Sequence, residues 1–309
     1  MYDLVCIGVS LVDSIIKGFN PNPISKAGYF ADSGTLSVGG EAVNQSITAS
    51  KLGLKTAIVT GLGYDGAADL VMHALTADHV DVSHCVRSDE IHTPVTTMFV
   101  NDDGTRKSCM NLSHRFNFHP EQHMEVLSET KAVSIGSLFR PPFNDPEIIY
   151  AVLSRAKELG LTTYVDTKLP NYNKLSLEDI KRSLPLVDYI FPNEDEAAYY
   201  AGVNDPEQQA DIFRAYGVKT AIVKLGARGC LMKSQTGRLI LPAMPIKAVD
   251  AIGAGDNFIA GFACAKHDGA DDMEALRFAN MCGAVCTEYV GATTGIRSRE
   301  QVIARFSQI

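Results

Sequence analysis

The stretch VDAIGAGDNFIAGFACA, residues 249–265, decides how the rest of the chain is read. A polar turn punctuated by glycines, Gly253-Ala254-Gly255-Asp256, runs directly into an apolar helical segment. Such a helix start leaves backbone N–H groups unpaired at the positive end of the helix dipole. That arrangement binds a phosphate oxygen, and glycines let the backbone come close to it. Asp256 is the odd member. A first-turn acid is a good cap, yet an anion-binding turn gains nothing from a negative charge unless the acid serves the attacking group. The turn therefore predicts a phosphoryl-binding site at Gly253, Ala254 and Gly255, with Asp256 as general base for a hydroxyl.

Outward from this motif, short β-branched runs alternate with helical segments. LVCIGVS (4–10), TAIVT (56–60), AVSIGS (132–137), TTYVDT (162–167), VDYIFPN (187–193) and VKTAIVKLG (218–226) read as strands. GEAVNQSITASKLG (40–53) and DPEIIYAVLSRAKELG (145–160) read as helices closed by glycine. The alternation and the near-continuous apolar strands predict an α/β fold, a mostly parallel sheet with helices on both faces. Residues 14–38 and about 92–111 break the pattern and read as antiparallel strands, the second around the turn NDDG. Ligands in doubly wound folds sit beyond the carboxyl ends of the strands, so these insertions are expected to form a small lid there. The absence of repeats and of linker-like tracts makes residues 1–309 one domain with a lid.

Composition narrows the partners. A formal net charge of −8 with scattered basic residues argues against nucleic acid or an anionic membrane as the main partner. No apolar run reaches the ~18 residues of a membrane span. The strand-like start MYDLVCIGVS does not read as a signal peptide, and seven irregularly spaced cysteines fit a reducing cytoplasm. Cys282 and Cys286 sit in an apolar helix without His or carboxylate neighbours and are expected as core thiols, with no zinc site. One motif misleads. TGLGYDG (60–66) matches the G-x-G-x-x-G dinucleotide fingerprint, but it follows a later strand and Asp65 would place a carboxylate where a pyrophosphate belongs. It is read as a strand–helix turn.

The segment DAIGAGDNF (250–258) resembles the D-T-x-G-A-G-D-x-F signature of the ribokinase-like (PfkB) carbohydrate kinases, with Ala251 in place of the usual Thr. SVGGEAVNQSITASKLG (37–53), FPNEDEA (191–197) and FANMCGAVCTEYVGATTGI (278–296) resemble further segments of that family, in order along the chain. The resemblance implies a three-layer α/β/α sandwich and transfer of the γ-phosphoryl group of ATP to a sugar hydroxyl. It implies sugar contacts from Asp13, Gly39, Gly40 and Asn44, with Lys168 as a cationic contact to phosphate or substrate; Arg140, in SLFRPPF, also ends a strand and is a candidate contact to an anionic sugar. It implies nucleotide contacts from Asn193, Lys224, Gly226, Gly253, Gly255 and Asn280. Asn193 and Glu196 would position Mg²⁺ through water, and Asp250, Ile252 and the 291–295 loop would hold a potassium ion. It further implies a homodimer paired through the lid. The residues leave two other readings open: a nucleoside kinase of the same fold, and a non-catalytic sugar-binding regulator. The lid segment NLSHRFNF (111–118) carries no code for the sugar, although His114 and Arg115 are candidates for contact with an anionic or long-chain substrate.

Overall fold

The computed structural model describes residues 1–18, 31–100, 106–110, 117–171 and 173–307; of Arg106 it describes the backbone. His114, Arg115 and the NDDG turn lie outside the described residues.

Six strands form the parallel part of an eight-stranded sheet: β1 (Leu4–Ile7), β4 (Thr56–Val59), β9 (Ala132–Leu138), β10 (Thr162–Thr167), β11 (Tyr189–Phe191) and β12 (Thr220–Lys224). Their spatial order is β4-β1-β9-β10-β11-β12. An antiparallel pair, β13 (Cys230–Ser234) and β14 (Gly237–Leu241), extends the β12 edge. The helices are α1 (Glu41–Lys51), α2 (Gly66–Ala77), α3 (Pro146–Glu158), α4 (Glu194–Ala201), α5 (Pro206–Ala215), α6 (Ala254–His267), α7 (Asp272–Thr287) and α8 (Arg299–Phe306). Alternate strand residues enter two separate apolar cores, one shared with α1, α2, α6, α7 and α8 and the other with α3, α4 and α5. Strands buried on both faces explain the continuous apolar runs in the sequence, and the three-layer α/β/α sandwich follows.

A smaller sheet has the order β3-β2-β7-β8, from β2 (Leu11–Lys17), β3 (Ser33–Gly39), β7 (Val95–Val100) and β8 (Arg106–Met110). Each hairpin is antiparallel, and the two are joined by parallel pairing of β2 with β7, Asp13 opposite Thr96. Its strands alternate between two duties. Val12, Val38 and Val95 pack into the core shared with α2, whereas Asp13, Ser37 and Thr96 face a large cleft.

The misleading TGLGYDG segment forms a two-residue strand, β5 (Gly61–Leu62), paired with β6 (Val86–Arg87). Asp65 caps α2, accepting from Ala68 N at 2.8 Å and Thr93 N at 2.9 Å. A Cβ on Gly63 would lie 2.3 Å from the carbonyl oxygen of Ile91, so this glycine serves local packing. Cys282 and Cys286 are buried free thiols, and no described helix is long and apolar enough to cross a membrane.

Candidate active site

The carboxyl ends of β10, β11 and β12 and the corner leaving β1 open onto a cleft of about 1200 Å³. Two helices start at its floor. The α1 start depends on Gly40, which has φ 102°; a Cβ there would lie 2.2 Å from Val9 O at the exit of β1. The α6 start depends on Gly253, at φ 78°, where a Cβ would meet Ala292 at 2.5 Å. Both turns therefore require a residue without a side chain. Their tightness aims two positive helix ends at one point.

Asp256, in the first turn of α6, is buried and accepts from Asn44 Nδ2 of α1 at 2.8 Å and from Gln45 Nε2 at 3.4 Å. Gln45 is fixed in turn by Ser134 Oγ, 2.5 Å from its Oε1. The next residue, Asn257, donates to Gly253 O at 2.8 Å and Ala292 O at 2.7 Å and accepts from Thr48 at 3.0 Å, so α1, α6 and the loop near 292 are held together. Asn44 Oδ1 is buried and accepts no hydrogen bond among the described residues. A bare buried acceptor is costly, and Asn44 lines the cleft beside Asp256, which makes its amide a candidate to accept from a hydroxyl bound there. Burial pushes the Asp256 carboxyl up to about 7, reinforced by the Glu41 carboxylate and opposed by the Lys168 ammonium and the Asn44 amide.

No side chain caps α6. The Ala254 amide turns to Ala251 O at 3.3 Å, while those of Gly253, Gly255 and Asp256 take no partner among the described residues. Lys224 Nζ stands 3.2 Å from where a Cβ of Gly255 would be, and it pairs with Asp166 at 2.8 Å. Cation and free amides thus share one patch, as a phosphoryl group requires.

Asn193 and Glu196 form a full capping box on α4: Glu196 N donates to Asn193 Oδ1 at 2.9 Å, and Asn193 N to Glu196 Oε2 at 2.8 Å. Thr167 Oγ1 also donates to Oε2, at 2.9 Å, while Oε1 accepts no hydrogen bond among the described residues. Both residues line the cleft, and burial raises the Glu196 carboxyl above its ordinary value. The cap and an outward-facing oxygen coexist. Gly226 and Asn280 line the same cleft, Asn280 donating to Pro242 O at 3.2 Å. The Asp250 carboxylate accepts from Ile252 N and Gly291 N, both at 3.0 Å, and so joins the turn before α6 to the loop at 291.

Of the residues singled out in the sequence, Asp13, Gly39, Gly40, Asn44, Lys168, Asn193, Glu196, Lys224, Gly226, Ile252, Gly253, Ala254, Gly255, Asp256 and Asn280 all face this cleft. Asp250 supports its rim from behind. Arg140 does not line it. Its Nε donates to Leu169 O at 2.8 Å, tying two strand-end loops together. Sequence reading missed Glu41, Gln45, Ser134, Ser137 and Asp166. Glu41 and Gln45 sit inside the quoted GGEAVNQ segment, and Asp166 ends the strand TTYVDT, but only the fold shows what each one touches.

Residues 2–299 match the model of the pfkB family carbohydrate kinases. The chain belongs to that family. The kinase is 26% identical over 275 residues to a ribokinase of Staphylococcus aureus, covering 85% of this chain and 86% of the relative. Among solved structures it is similar to Arabidopsis thaliana ribokinase complexed with ribose and ATP, with TM-score 0.86, 24% identity and 98% of each chain covered. An E. coli protein of the same fold, solved in complex with ATP and Mg²⁺, matches with TM-score 0.82 and 23% identity, over 100% of each chain. Family membership makes the protein an ATP-dependent carbohydrate kinase, a phosphotransferase with an alcohol group as acceptor.

The raised Asp256 carboxyl has a consequence for stability. Because its native pKa lies above the ordinary 3.8 of the unfolded chain, the stability it adds through proton uptake is fully present below pH 3.8 and is lost as pH rises through about 7. Urea midpoints of wild type and Asp256→Asn, measured across this range, are expected to diverge in favour of the variant as pH rises. Parallel curves would contradict the shift.

Proposed function

We propose that Asp256 is the general base in transfer of the ATP γ-phosphoryl group to a hydroxyl of a small sugar. The observation that carries this is the placement of its buried carboxylate in the cleft, bonded to the Asn44 amide and in the same helical turn as the free amides at the start of α6. The hydroxyl proton passes to Asp256 while the hydroxyl oxygen bonds to the γ-phosphorus. The bond from that phosphorus to the β–γ bridging oxygen breaks, and its electron pair leaves on ADP. The Gly253, Gly255 and Asp256 amides and the Lys224 ammonium face the equatorial oxygens and stabilise the charge spread over them. Asp13 and Asn44, near the tight Gly39-Gly40 corner, orient the sugar, and Lys168 completes that end. Gly226 and Asn280 belong to the nucleotide end. The smaller sheet, with Asp13, Ser37 and Thr96 facing inward, is the lid that excludes water.

Five carboxylates, of Asp13, Glu41, Asp166, Glu196 and Asp256, face the cleft against the ammoniums of Lys168 and Lys224. A polyphosphate entering such a field needs its own cation. Glu196 Oε1 and the exposed Asn193 side chain offer oxygen donors of the type Mg²⁺ takes through water, and the ion supplies charge neutralisation along the phosphates. Asp250 and the Ile252 carbonyl offer further oxygens for potassium beside the anion turn.

Three outcomes are expected. Asp256→Asn lowers kcat by about 10²–10⁴ with nucleotide affinity kept, and wild-type kcat/KM falls as pH drops below about 7; near-normal turnover of the variant would remove Asp256 from the role. Lys224→Ala raises the KM for ATP more than that for sugar in two-substrate kinetics, and the reverse split would move Lys224 to the acceptor side. Replacing potassium by tetramethylammonium slows turnover at constant ionic strength; an unchanged rate excludes a potassium requirement.

A further inference from the structure

A charged pair whose carboxylate member the phosphoryl-transfer scheme does not use stands at the acceptor end of the cleft. Lys168 Nζ lies 3.1 Å from Glu41 Oε1, and the Ser137 hydroxyl donates to Glu41 Oε2. Glu41 is the first residue of α1, directly after the Gly39-Gly40 corner, and Lys168 follows the carboxyl end of β10. Both line the cleft, and Asp13 stands nearby on β2.

We propose that Glu41 and Lys168 act together as a charge filter on the acceptor, with Glu41 holding the Lys168 ammonium so that the site takes uncharged polyhydroxy sugars and turns away sugar phosphates and sugar acids. The inference rests on the kinase reading above and adds the substrate class. Lys168 and Lys224 are the cations among the described residues lining the cleft, and each is already matched by a carboxylate, Lys224 by Asp166. An anionic acceptor would have to take Lys168 from Glu41, leaving that carboxylate unpaired beside those of Asp13 and Asp256. A neutral polyol meets no such penalty. Its hydroxyls donate to acceptors facing the cleft: the amide of Asn44, whose Oδ1 has no donor among the described residues, and the carboxylate of Asp13. The electrostatics agree in direction. The Lys168 ammonium and the Ser137 hydroxyl hold the Glu41 carboxyl down at about 2 despite its burial, and Glu41 raises Lys168, so both are charged at neutral pH. Burial and the Glu41 charge push Asp13 up to about 6, the sign of a region already rich in negative charge.

The test compares kcat/KM for neutral and anionic acceptors: D-fructose with fructose 6-phosphate, and D-ribose with D-gluconate. Wild type is expected to prefer the neutral partner. Glu41→Gln frees Lys168 and is expected to shift the ratio toward the anionic partner by roughly tenfold or more, mainly through KM. The double variant Glu41→Gln/Lys168→Gln leaves no unpaired buried charge, serves if the single variant folds poorly, and is expected to lose that gain. A loss of packing alone would lower both activities and leave the ratio unchanged. An anionic acceptor used by wild type as well as its neutral partner, or an unchanged ratio in Glu41→Gln, overturns the proposal. If none of these acceptors supports turnover in wild type, it is the kinase reading that suffers. The filter is then judged by calorimetric binding of D-gluconate, expected to be about tenfold tighter in Glu41→Gln than in wild type, with equal affinities overturning it.

Discussion

The hydrogen bond from Asn44 to Asp256, residues 212 positions apart in sequence, joins the first turns of two helices, and the cleft is organised around it. It exists because Gly40 and Gly253 make corners tight enough for both helices to start at the same place. A carboxylate at that depth is disfavoured in its charged form. Helix ends, the two amide side chains of Asn44 and Gln45, and the Lys168 ammonium offset only part of the cost. A group so balanced changes protonation readily, which is what proton transfer demands and ordinary capping does not.

Charge elsewhere in the cleft is distributed with the same restraint. Each lysine has a carboxylate partner, Lys224 with Asp166 and Lys168 with Glu41. The partners keep long side chains in one position, so their roles follow from where the carboxylates stand. Asp166 ends a central strand and holds Lys224 over the anion turn. Glu41 begins a helix and holds Lys168 beside the Gly39-Gly40 corner. On the reading proposed above, the first pair faces the phosphates and the second the acceptor hydroxyls.

The two sheets divide the mechanical work. Parallel strands buried on both faces make a base whose carboxyl ends cannot shift independently of one another. The smaller sheet is anchored on one face through Val12, Val38 and Val95 and presents polar side chains on the other. Its strand alternation lets one short segment serve core and site together.

Much of this was legible in the chain itself. Apolar periodicity determined the alternating α/β layers, and the glycine–acid turn at 253–256 together with the ordered family segments pointed to the kinase chemistry and to residues that the fold gathers around one cleft. These are local signals, written in backbone conformations that few residues can adopt. The fingerprint at 60–66 shows where a local signal deceives, because the same glycine spacing serves an ordinary turn capped by Asp65. Tertiary structure alone decided the parallel β2–β7 pairing, the antiparallel edge, the placement of Arg140 outside the cleft, and the pairing of Glu41 with Lys168 and of Asp166 with Lys224. It also left Asn44 with an unmatched oxygen. Pairing between distant charges depends on which strand ends the fold brings side by side, and residue type at one position carries no record of what will face it.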